Sequence, residues 1–177
     1  MNLVRGIVAV VRFQLGRSFT AARLLWWFVL VLFPPLVVGL TFLDVHGSEE
    51  RKTILEQVQL QEVFVLVPNV ACMLGVFLWT STVLQSEIEN RSWVYLAVRP
   101  RARMAHIVGS YLVAVVWTIT AALMALLICM FEITIPSEAR STFVMSQVLL
   151  ILVSATSYAS IYLLIGVLFY QIGRAHV

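Results

Sequence analysis

Four apolar runs, at about residues 24–43, 63–84, 107–131 and 148–170, divide this 177-residue chain. A helix needs about 20 apolar residues to cross roughly 30 Å of hydrocarbon, and each run is of that order. Within a bilayer the backbone must satisfy its own hydrogen bonds, so runs of this length form helices. Sixty-one per cent of the residues are hydrophobic and 12% are charged, far too little polar surface for a soluble domain of this size. The expected architecture is therefore all-α, a polytopic integral membrane protein with four transmembrane helices.

Arg5, Arg12, Arg17 and Arg23 precede the first run, interspersed with Val4, Ile7, Val8, Val11, Leu15 and Phe19. Spacings of 7 and 11 residues place Arg5, Arg12 and Arg23 on one face of a helix, with the apolar residues mostly opposite. An amphipathic helix at the membrane interface is expected there. The first run opens with Trp26 and Trp27 and contains Pro34 and Pro35. Adjacent prolines remove backbone donors and bend a helix, either to shape a pathway or as a structural bend alone. The second run contains Pro68 and Asn69. An amide in lipid seeks an interhelical partner, so Asn69 serves packing or lines a pathway. Ser154, Ala155, Ser157, Ala159, Ser160 and Gly166 give the fourth run a close-packing surface.

The N-terminal segment and the stretch from Gln85 to His106 hold eight arginines, whereas the two other loops hold Arg51, Lys52 and Arg140. The positive-inside rule then places the N-terminus and the 85–106 loop in the cytoplasm, of a bacterial or archaeal plasma membrane by expectation. Residues 44–62 form an acidic outer loop with a short helix expected over 54–59, and His46 is read as a solvated loop histidine. Cys72 and Cys129 fall inside spans without CxxC spacing and read as small buried apolar residues. The net charge of +3 is spread over loops and makes no nucleic-acid-binding face. Residues 172–177 match one reading frame of a common sequencing adapter, so residues 1–171 are taken as the membrane domain. The tail is expected to be non-native and the natural C-terminal part to be missing.

No Asp, Glu, Lys, Arg or His is expected well inside a span, where coupled transporters carry such groups. The chain holds no P-loop, no HExxH and no nucleophile–His arrangement. An enzyme is not expected, nor a metal site or a bound cofactor.

The 85–106 loop carries six of the chain's 21 charged residues, four of them arginines. Ser86 and Glu89 have capping-box spacing, which predicts a helix from Glu87 to about Val98, and Pro100 disfavours helix at Arg99. Trp93, Tyr95 and Leu96 are anchors for a soluble partner or rest on the bilayer interface. Glu87, Glu89, Ser92, Leu96, Arg99, Pro100, Arg101 and Arg103 together make the loop resemble that of the permease subunits of type 2 ATP-binding-cassette exporters. Arg91 stands where that family usually has glycine, and Val94 where it often has an acid. The resemblance implies a substrate pathway built with a second permease subunit and driven by a cytoplasmic ATP-binding-cassette ATPase. ATP would act only through that partner, docked on the loop from Glu87 to Pro100 and on the N-terminal helix. The first four of the family's six spans would be present. The alternative is a four-span structural or assembly membrane protein without transport activity.

Overall fold

A computed structural model describes residues 3–43, 58, 60–89, 100–133 and 137–174. The chain is all-helical there, and four of its helices are long and apolar enough to cross a membrane. It is an integral membrane protein. The helices are α1 (Leu3–Ser18), α2 (Ala21–Leu43), α3 (Cys72–Glu89), α4 (Pro100–Glu132) and α5 (Ser137–Arg174), with a π-helical turn, Leu66–Ala71, leading into α3.

The single long N-terminal helix expected from the arginine spacing is broken at Phe19 and Thr20. Ser18 turns its hydroxyl back onto the Gln14 carbonyl at 2.7 Å, while the Thr20 carbonyl accepts the first bond of α2 from Leu24 N–H at 3.0 Å. Threonine is a favoured helix N-cap residue. Arg23 consequently belongs to α2 and does not share a face of one helix with Arg5 and Arg12.

Pro34 and Pro35 lie inside α2, which continues through them, and both are buried against the bundle. Pro68 acts differently. It offers no N–H and its ring clashes with a preceding carbonyl, and the backbone there widens into the π turn. Such turns are rare in helices and usually local. Val67, Pro68 and Ala71 of the turn are buried, and it packs on α2, α4 and α5.

Helix α4 is the hub, packed on α1, α2, α3 and α5. Close approach makes this possible. A Cβ on Gly75 of α3 would lie 3.0 Å from Thr118 Cγ2 of α4, and one on Gly109 of α4 would lie 2.6 Å from Val10 Cγ1 of α1. The main core gathers Val38, Val63, Val67, Cys72, Ala122, Leu126, Cys129, Met130, Ile151 and Ala155. Ala155 and Ala159 are fully buried, whereas Ser157 and Ser160 of the same small-residue stripe are exposed.

The apolar stretches run Ala21–Leu40, Leu60–Thr80, Met104–Phe131 and Ala139–Ile165. The helices that carry them run further. Helix α3 continues through Ser86 to Glu89, so Ser86 lies within a helix instead of capping a new one. Helix α4 begins at Pro100, seven residues ahead of the expected Ile107, and α5 begins at Ser137. Proline suits the first position of a helix, where its missing N–H has no partner in any case.

Candidate functional site

Of the residues expected to couple to a partner, the described ones lie where α3 ends and α4 begins. Glu87 and Glu89 lie on the last turn of α3, and Pro100 is the first residue of α4. Arg91, Ser92, Trp93, Tyr95, Leu96 and Arg99 lie outside the described residues, as do His46 and, apart from Val58, the helix expected over 54–59.

Helix α1 occupies the same end. Gln14 Nε2 donates to Ser110 Oγ of α4 at 2.8 Å, and that hydroxyl donates onward to the His106 carbonyl at 2.8 Å. Val10 sits one turn earlier against Gly109. Four residues of α1, about 6 Å of rise, thus meet two adjacent residues of α4. Phe19, just past the end of α1, then meets Trp117 further along α4, so α1 keeps to α4 over most of its length.

Above α1 an aromatic cluster joins three spans. Trp79 of α3 stacks on Trp117 of α4 at 5.0 Å and 18°. Trp27 of α2 meets Trp117 edge-on at 6.3 Å, and Phe19 meets the same ring at 5.4 Å. The Arg23 guanidinium lies 5.1 Å from the Trp79 ring centre. Cation–π contact stabilises by ~0.5–2 kcal/mol, more where water is excluded, and Trp79 is only 6% exposed. Sequence reasoning gave Trp27 as opening the first span and missed Trp79 and Trp117. Their signal was a tryptophan in each of three successive apolar runs.

A second set of polar groups lies toward the other end. Asn69, in the π turn, is exposed and accepts a 3.4 Å hydrogen bond at Oδ1 from the Tyr158 hydroxyl of α5. The amide has an interhelical partner, on the rim of the bundle instead of within it. Gln147 of α5 is fully buried, and neither its Oε1 nor its Nε2 has a partner. Glu62, near the start of the second apolar stretch, also has a buried, unpartnered Oε2. Gln147 fell just before the expected fourth span at residue 148 and so was not read as an in-span polar group. It stands four residues before buried Ile151, and this spacing repeats at Ala155 and Ala159.

No family model, curated protein or solved structure matches the chain.

Proposed function

We propose that the chain is the permease subunit of an ATP-binding-cassette transporter, an exporter of type 2, driven by a separate cytoplasmic ATPase. In this reading two permease subunits form the pathway, and the end of the bundle carrying α1, Glu87, Glu89 and Pro100 faces the cytoplasm. The observation that supports it most is the continuity of α3 and α4 past their apolar stretches. Glu89 ends and Pro100 begins helices that run without a break into the core.

A push on the segment between Glu89 and Pro100 reaches α4 directly, and among the described residues α4 touches each of the other helices. Packed helices respond as rigid bodies that shift between discrete arrangements. Helix α1, keyed into Gly109, would move with α4 and widen the surface available to the ATPase. Pro34–Pro35 in α2 and the π turn at Pro68 interrupt regular backbone hydrogen bonding where these spans pack together, which gives the bundle places to bend.

The experiment is co-expression with an ATP-binding-cassette ATPase encoded beside this chain. Trp93→Ala and Tyr95→Ala should cut ATPase co-purification and its stimulation about tenfold or more, the loss expected of aromatic interface anchors, with insertion unchanged. Full binding and stimulation in both variants would refute the coupling role.

A further inference from the structure

Helix α1 presents two faces with different jobs. Ile7, Val10 and Gln14 turn toward α4, and Gly6 and Ser18 are buried. The opposite side carries Arg5 and Arg12, both exposed and seven residues apart, so within about 20° of each other around the axis. Val4, Val8 and Phe13 flank them at 69%, 60% and 68% exposure. Together with Ala9 these residues border an open recess of about 560 Å³.

Exposed valines and a phenylalanine beside two arginines suit neither bulk water nor hydrocarbon alone. They suit the boundary between them. The chain supplies no internal counter-charge nearby, because residues 1–43 contain no Asp or Glu. Among the described residues no carboxylate pairs with Arg5 or Arg12. Position agrees with chemistry: Val10 and Gln14 of α1 meet α4 at Gly109 and Ser110, near the start of the apolar stretch Met104–Phe131. Exposed Leu25, Trp26, Met104 and Leu112 open the neighbouring spans at the same end, so the flanks of α1 lie level with side chains that must meet acyl chains.

We propose that Arg5 and Arg12 form a binding site for the phosphate headgroups of acidic phospholipids, with Val4, Val8 and Phe13 against the upper acyl chains. Guanidinium groups bind phosphate oxygens through paired, charge-assisted hydrogen bonds. Helix α1 is held on α4 by its other face, so the two arginines are displayed at a fixed level and not on a loose tail. The site is independent of any ATPase.

Native mass spectrometry of the purified chain, released from mixed micelles of phosphatidylglycerol and phosphatidylcholine, tests this. The chain should retain phosphatidylglycerol in preference to phosphatidylcholine. In the double variant R5Q/R12Q that preference should weaken about twenty-five-fold, roughly fivefold for each arginine near an anionic surface. R5K/R12K, which keeps the charge but not the paired donors, should lose less of it than R5Q/R12Q, and R140Q, at the other end of the bundle, should change nothing. Equal retention of both lipids by the unaltered chain would overturn the proposal. So would an undiminished preference in R5Q/R12Q, an equal loss in R140Q, or a role of Arg5 and Arg12 only in holding an acidic protein partner.

Discussion

Gln147 carries an amide with two unbonded polar atoms in the interior of a membrane bundle. Burying such a group without partners costs about 1–3 kcal/mol, so the position is held against a penalty. Gln147→Leu keeps most of the volume and removes the orphaned atoms. It should raise the thermal stability of the solubilised chain by an amount equivalent to about 1–3 kcal/mol, read as a shift in the melting midpoint. A lower midpoint would show that the amide is bonded in the folded protein and that the penalty does not exist. The Tyr158 hydroxyl differs: its bond to Asn69 is long and exposed. A sequence scan weights an amide by its place in a hydropathy profile, and so it singled out exposed Asn69 and passed over buried Gln147. Burial depends on which side of a helix meets a neighbour, and α5 had to be extended to Ser137 before Gln147 joined the buried line of Ile151, Ala155 and Ala159.

At the scale of elements the contact between α1 and α4 is the most exacting. The Cβ of an alanine at Gly109 would fall 2.6 Å from Val10 Cγ1, closer than real atoms stand. Gly109→Ala should therefore loosen α1 at a cost of about 1–3 kcal/mol, the usual price of overpacking. Val10→Ala in the same chain should recover much of the loss, because the two changes touch. Protection of the α1 amides from hydrogen exchange measures both, and additive losses would remove the contact from consideration. The four spans were legible because their length and hydropathy answer to bilayer thickness. Their ends were not. Hydropathy marks where lipid begins, whereas a helix stops where backbone hydrogen bonding stops, and α3, α4 and α5 all pass from one regime into the other. The Ser86–Glu89 pair shows the difference: its spacing fits a cap, yet no cap is needed where the preceding turn is already helical. Pro68 signalled a local disturbance, but nothing in the local residues distinguishes a widened turn from a bend. The aromatic cluster was hidden because three spans had to be aligned before Trp27, Trp79 and Trp117 could meet.

For the molecule as a whole, the position of α4 has a consequence in the order of synthesis. Helices α1 and α2 and the second span are made first, yet α1 and α2 find their main partner in α4. Membrane helices insert before they associate, so the earlier elements must wait, inserted and largely unpaired, until Pro100 to Glu132 has emerged. A chain ending at Glu89 should reach the membrane but leave α1 undocked, so that trypsin cuts after Arg12 and Arg17 within the time that these two bonds stay uncut in the chain ending at Ile133. Equal resistance of the two would mean that α1 is held by lipid alone. The bundle is thus assembled backwards from its third span, and the interval before that span appears is when its N-terminal half is open to misassociation or to capture by other membrane proteins.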